Sequence, residues 1–232
     1  MSWLAHPLAV RLRNLGRIAG VNRWLAALLA GPGYEASFER AVLASVQRGD
    51  RVWDVGANVG LYTLKLLEAT GEEGRVYAFE PSPVNRARLA AAVGERANAV
   101  VIPLALGDRD DTMKFEQGGD ALGASSRLLD AATDGIDVRV ARGDSLVATN
   151  EVAAPNVIKI DVEGFELDVL RGLGDVLRSP GLRTLGIEVH FGILNERGIA
   201  DAPRRIERLL GETGFRCSWT DSSHVIASRA AQ

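Results

Sequence analysis

Arg51-Val52-Trp53-Asp54-Val55-Gly56-Ala57-Asn58-Val59-Gly60-Leu61-Tyr62 passes from a short apolar run through small residues into a helical pattern. Arg51 to Val55 reads as a buried strand, and Gly60 opens a helix reaching about Thr70. A strand that ends in glycines and restarts as a helix is the first unit of an open α/β sheet. Ligands bind in such sheets outside the carboxyl ends of the strands.

On either side the same alternation repeats. A helix over 34–47 precedes the run. Arg75 to Phe79 is a strand, Pro83 to Gly94 a helix, Ala99 to Leu106 a strand, and Asn156 to Ile160 a strand before a helix from Phe165 to Gly172. Leu182 to Phe191 is a further strand and Ala202 to Thr213 an amphipathic helix. Phe215 to Trp219 and His224 to Ser228 close the chain as two strands around Asp221-Ser222-Ser223. This order implies an α/β fold with a doubly wound, mainly parallel seven-stranded sheet. The last two strands are joined too tightly to pair in parallel, so one antiparallel strand is expected at the sheet's edge. Thr112 to Ser145 breaks the rhythm, with strands expected at Met113 to Phe115 and Asp137 to Ala141 inside a loop-rich insert beside the ligand cleft.

The chain has 232 residues and is 47% hydrophobic, enough for one substantial core. A net charge of -3 excludes the basic footprint of a nucleic-acid binder. Cys217 is the single cysteine, which excludes an internal disulfide and a cysteine-built zinc site. No apolar run approaches the roughly 20 residues of a spanning helix, and a cytoplasmic location is expected. Residues 1–33 form a separate basic, amphipathic segment in which Arg11, Arg13, Arg17 and Arg23 interleave with leucines and no acid occurs. Packing on the domain residues 34–232 or on a second copy is the favoured reading, with contact to an anionic membrane as the alternative.

Asp54 ends the first strand, and Gly56, Ala57, Asn58 and Gly60 form the turn after it. Gly-x-Gly-x-x-Gly spacing fails, because Asn58 and Leu61 stand where glycines are required, which weakens a dinucleotide reading. A carboxylate at Asp54 repels a pyrophosphate and attracts an ammonium such as that of S-adenosylmethionine. Glu80 ends the second strand, where a carboxylate accepts ribose hydroxyls, and Pro81 follows it as a surface for adenine. Tight turns at Gly56 and Gly60, and helix capping by Asn58 and Ser82, are the structural alternatives.

Asp-Val-Gly-Ala-Asn-Val-Gly-Leu-Tyr-Thr at 54–63, Phe-Glu-Pro-Ser-Pro at 79–83, Ala-Leu-Gly-Asp at 105–108 and Ile-Asp-Val-Glu-Gly-Phe-Glu at 160–166 resemble the FkbM family of methyltransferases, over roughly residues 34–228. The resemblance implies a Rossmann-like class I methyltransferase fold, S-adenosylmethionine as cofactor, and O-methylation of a hydroxyl on a sugar, glycosylated or polyketide-type metabolite. It places Asp54, Gly56, Ala57, Asn58, Gly60 and Tyr62 in the stretch around the methionine part, Glu80 on the ribose, and Leu106 to Asp108 beside adenine. Asp108 capping a turn is the alternative for that residue.

Asp161 and Glu163 follow the strand that lies next to the first one, with Gly164 and Phe165 opening a helix. Asp161 is a candidate base and cofactor neighbour, and Glu163 is either catalytic or a helix cap. In this reading Lys159 points elsewhere. His190 closes a strand in Ile187-Glu188-Val189-His190 and is the third catalytic candidate, or a hydrogen-bonded rim residue. Asp161, Glu163, Glu188 and His190 also offer ligands for a divalent metal, which is the less favoured route to activating a hydroxyl. Asp108, Asp110 and Asp111 fail the EF-hand pattern, since Met113 and Gly119 stand at its glycine and glutamate positions. Ser125 and Ser126 lie in no nucleophile elbow and are read as lining the acceptor pocket. A small-molecule acceptor is the expected partner. N-methylation on the same fold, and a binding module without turnover, are the alternatives.

Overall fold

A computed structural model describes residues 34–116, 127–129 and 135–229. The basic segment 1–33, its expected packing or membrane contact, and Ser125 and Ser126 lie outside the described residues. In chain order the elements are α1 (Tyr34–Ser45), β1 (Arg51–Val55), α2 (Leu61–Thr70), β2 (Arg75–Phe79), α3 (Pro83–Val93), β3 (Ala99–Ile102), β4 (Ala105–Leu106), β5 (Asp111–Glu116), β6 (Arg127–Leu129) and β7 (Ile136–Ala141). There follow α4 (Gly143–Ala148), β8 (Val157–Ile160), α5 (Glu166–Leu173), a 3-10 turn (Gly174–Arg178), β9 (Thr184–Glu188), α6 (Phe191–Glu196), α7 (Ala202–Glu212), β10 (Arg216–Trp219) and β11 (His224–Ser228).

Seven strands form the main sheet in the order β10-β11-β9-β8-β1-β2-β3. Pairing from β9 through β3 is parallel throughout. The strand that opposes the rest is β11, at that margin of the sheet between β9 and the outermost strand β10.

Alternate residues along each strand serve opposite layers, as the two-residue period of a strand requires. Trp53, Val55, Phe79, Ile158, Ile160, Leu185 and Ile187 pack with Leu167, Leu170 and Leu173 of α5 and with Ile206 and Leu210 of α7. Val52, Val76, Ala78 and Val157 face the other way, against Phe38 and Val42 of α1, Leu66 and Leu67 of α2, and Leu89 of α3. Central parallel strands covered on both faces are apolar at nearly every position, as β8 is. Lys159 is the exception in that strand.

Three expectations about the elements need correction: the strand expected over Leu182 to Phe191 is limited to Thr184–Glu188, and Phe191 opens the helix α6. The single strand expected over Ala99 to Leu106 is broken at Pro103, and its second half leaves the main sheet as β4. Proline brings no backbone N–H to a ladder, so the pairing of β3 cannot run on unbroken. The expected loop-rich insert carries more sheet than foreseen: β4, β7, β5 and β6 form a second, four-stranded sheet. Its small core is Ala105, Phe115, Val138, Val140 and Phe165.

Candidate active site

β1, β2, β8 and β9 all end at the same edge of the sheet, because parallel strands share one direction. Asp54, Glu80, Asp161 and Glu188 therefore stand in one row.

At the first crossover, Gly56 has φ +79°, and a Cβ there would lie 1.8 Å from the carbonyl oxygen of Asp161. Glycine is required by the neighbouring backbone as well as by the turn. Gly56 and Ala57 donate their N–H groups to the carbonyl of Phe79. Asn58 sits in the left-handed region at φ 52° and donates its N–H to Glu80 Oε2 at 2.8 Å. Its own side-chain oxygen is buried without a hydrogen-bond partner among the described residues. Gly60, also at positive φ, opens α2, and Ala57 is buried in the core.

Glu80 accepts a second backbone N–H, from Ser82 at 2.8 Å. Burial raises its pKa from 4.5 to about 7, against the lowering effect of those two hydrogen bonds. Ser82 caps α3 through Asn85 N–H, as the capping reading foresaw. Pro81 is half-buried beside Glu80. Leu106 is 2% exposed and belongs to the core, and Gly107 is buried beside it, which leaves Asp108 as the partly exposed end of the expected adenine wall. Asp108 also borders a small pocket shared with Phe165, Asp168 and Arg197.

Asp54 is fully buried on the α2 side of the sheet. Its Oδ2 accepts the Thr63 hydroxyl at 2.7 Å, and its Oδ1 pairs with Lys159 Nζ at 3.2 Å. Lys159 is its register partner across β1 and β8, 3% exposed. The ammonium that the sequence reading assigned to Asp54 therefore has a counterpart inside the protein. Lys159 Nζ also donates to the carbonyl of Gly56 at 3.2 Å, lies 3.6 Å from Asp161 Oδ2, and sits 5.0 Å from the centre of the Tyr62 ring. The expectation that Lys159 points elsewhere is wrong, because 157, 159 and 161 alternate onto one side of β8. Burial opposes its charge, yet Asp54 and Asp161 hold its pKa above the ordinary lysine range.

His190 is 3% exposed and follows β9. Its Nδ1 lies 2.7 Å from Glu166 Oε1, which also accepts the N–H of Gly164 at 2.8 Å. Its Nε2 faces Glu163 Oε2 at 3.2 Å, Asp161 Oδ1 at 3.7 Å and Glu188 Oε1 at 3.7 Å. Burial pushes the imidazole toward neutrality, but Glu163 and Glu166 hold its pKa well above 6.5. Burial likewise lifts Asp161 to about 6, against the pull of Lys159. Glu163 occupies the left-handed region at φ 48°, ahead of Gly164 at φ 94°. The three catalytic candidates are thus brought together.

Three participants escaped the sequence reading: Lys159, Glu166 and His224. A lysine inside Val157-Ile158-Lys159-Ile160 was a usable signal, since a charge on a central strand needs a partner. His224 Nε2 lies 3.5 Å from Glu188 Oε2, while its Nδ1 is held by Asp221 at 2.9 Å.

The model of the FkbM methyltransferase domain matches residues 54–217, which span every residue of this row. The chain belongs to the FkbM methyltransferase family. AglP of Haloferax volcanii, a hexuronic acid methyltransferase, is 32% identical over 197 residues, covering 82% of this chain and 75% of its own. FkbM of Streptomyces tacrolimicus, the 31-O-demethyl-FK506 methyltransferase, is 31% identical and covers 78% of this chain and 81% of its own. A Clostridium thermocellum protein described as an rRNA methylase superposes with a TM-score of 0.50 at 12% identity, covering 84% of this chain and 94% of its own, which speaks to the fold alone. The protein is an S-adenosylmethionine-dependent methyltransferase with a Rossmann-like class I fold. The site fits that cofactor: Asn58 offers a buried acceptor without a partner, and Glu80 offers strand-end carboxylate oxygens to a diol. Among the described residues no helix is long and apolar enough to cross a membrane.

Proposed function

We propose that this FkbM methyltransferase methylates a hydroxyl group on a sugar or sugar-bearing small molecule. S-adenosylmethionine supplies the electrophilic methyl group. The observation that carries the reading is the convergence of Asp161, Glu163, Glu188 and His190 at the edge where β1 carries its glycine turn. An alcohol becomes a strong nucleophile only as its proton leaves, whereas a neutral amine attacks without losing one first, so a dense group of proton acceptors favours oxygen. The relatives AglP and FkbM act on a hexuronic acid and on a demethylated FK506, and both substrates support the same choice.

In this proposal Glu80 accepts the two ribose hydroxyls. Gly56 to Gly60, with Asn58 and Tyr62, surrounds the methionine portion, while Asp54 acts through Lys159 and the turn above it. Pro81 and Asp108 border the adenine. Asp161 is the more open carboxylate and receives the hydroxyl proton, while Glu163 and His190 hold the acceptor oxygen in line. Positioning of that kind supplies much of the barrier reduction in a displacement reaction.

The test is turnover of purified full-length protein with S-adenosylmethionine and a panel of hexuronic acids, neutral glycosides and hydroxylated lactones. A methoxy signal in the product's NMR spectrum is expected, with turnover reduced about 100-fold or more in Asp161→Asn. An N-methyl product that survives Asp161→Asn would move the reading to nitrogen. Cofactor binding with no transfer to any acceptor class would favour a binding module.

A further inference from the structure

Four carboxylates surround the His190 ring, and the two ring nitrogens are treated differently. Nδ1 is committed to Glu166, a carboxylate that has no exposure and can only accept when ionised. The ring therefore donates from Nδ1 and presents Nε2 to Asp161, Glu163 and Glu188. When the ring is protonated, Nε2–H faces these carboxylates, and a cation that replaces that proton would meet the nitrogen's lone pair and the same acids. Three carboxylates this close need a positive charge between them, which either the ring proton or a bound cation supplies.

We propose that Asp161, Glu163 and His190 bind one divalent cation, which holds the acceptor oxygen during transfer. Donor atoms of these three side chains lie within 4.8 Å of one another. Ligands about a small cation at metal distances near 2.1 Å stand roughly 3 to 4.2 Å apart, so modest side-chain rotation closes the set. Three protein ligands leave positions open, as sites that bind a reactant do. Mixed imidazole and carboxylate donors suit manganese or zinc better than calcium.

A second feature points the same way. A metal-bound histidine characteristically donates its other N–H to a carboxylate, which fixes the ring and raises its basicity. Glu166 does this from a fully buried position, and its remaining oxygen, Oε2, is buried with no partner among the described residues. Beyond the Gly164 N–H that its Oε1 also accepts, this carboxylate is explained as the brace of a ligand ring. The inference rests on the reading of this cluster as the place where the hydroxyl is activated. A cation there offsets the charge of the developing alkoxide, while the second Asp161 oxygen, on the Lys159 side, remains to take the proton.

Manganese titration of chelator-treated full-length protein, followed by electron paramagnetic resonance and calorimetry, tests this. One manganese per chain is expected, weakened at least 10-fold in Glu163→Gln and in Asp161→Asn. Glu166→Gln, checked for folding by circular dichroism, is expected to weaken binding about 10- to 100-fold without removing a ligand. Wild-type binding no tighter than that of Glu163→Gln overturns the proposal, and that variant decides it alone if Glu166→Gln does not fold. S-adenosylmethionine calorimetry on the same samples separates the two readings. A chain that binds the cofactor and no manganese loses only the cation, and one that binds manganese and no cofactor loses the methyl-transfer reading.

Discussion

Lys159 shows how much a single buried charge can organise. Its ammonium faces Asp54, Asp161 and the carbonyl of Gly56, so removing it leaves Asp54 charged, fully buried and held only by Thr63. Breaking a buried pair from one side costs about 3–5 kcal/mol. Lys159→Met is expected to lower the melting temperature sharply, and Asp54→Asn combined with Lys159→Met is expected to recover part of the loss. A double variant no more stable than the single one would show that the pair is not the source of the cost. Glu80 gives the second residue-scale prediction. Its pKa of about 7 means that the carboxylate ionises across the neutral range, and only the ionised form leaves a free lone pair on each oxygen for the ribose hydroxyls beside the two backbone N–H bonds. Affinity for S-adenosylmethionine is therefore expected to tighten from pH 6 to pH 8. Glu80→Gln is expected to weaken it by about 2 kcal/mol, roughly 30-fold, and to flatten the pH dependence, as calorimetry would show. At this scale the sequence revealed acids at strand ends but not the partners they choose. Glu166 reaches His190 across 24 residues of chain, and nothing in the spacing of either motif measures that separation.

Among the elements, the crossover from β1 to α2 is the least tolerant of change. At Gly56 positive φ and a backbone oxygen 1.8 Å from a would-be Cβ act together, whereas Gly49, at φ +85°, has nothing within 4 Å. Gly49→Ala is expected to cost about 1 kcal/mol, the backbone effect alone. Gly56→Ala is expected to cost well above about 2 kcal/mol and to weaken cofactor binding, because Asp161 has to move. Equal melting temperatures for the two variants would mean that the contact with Asp161 relaxes freely. Strong periodicity made the elements legible: α1, α2, α3 and α7 lie within about two residues of their expected bounds, and β11 matches at both ends. Short elements were not legible. α4 and α6 have six residues each, too few for a helical face to repeat, and β6 has three. Their pairing and packing come from tertiary neighbours, which propensity does not encode.

Taken whole, the molecule gathers ionisable groups whose folded forms hold protons tightly. Burial raises Glu80 from 4.5 to about 7. His224, despite burial, is raised from 6.5 to about 9 by Asp221 and Glu188. Both bind protons more strongly folded than unfolded, so their contributions are full at acid pH and fade as pH rises, between about 4.5 and 7 for Glu80 and between about 6.5 and 9 for His224. The melting temperature of the cofactor-free protein is therefore expected to fall between pH 5 and pH 9, with His224→Gln reducing the upper part of the decline, to which the raised His190 also contributes. A flat or rising profile would refute this account. The overall architecture was legible because alternation of strand and helix permits few right-handed, parallel arrangements. The second sheet was not, since it depends on how β4 leaves the main one.

The placement of β11 carries a further consequence. The last described strand, β11, is slotted between β9 and β10, and it carries His224 against Glu188. During synthesis on a ribosome, β10 emerges first and has no partner in the main sheet until residues 224–228 follow. The cofactor half, β1 to β3, can pair long before. The pocket is thus completed from its far side only once β11 has emerged, and a nascent chain halted before residue 224 carries the cofactor half of the site without His224 against Glu188.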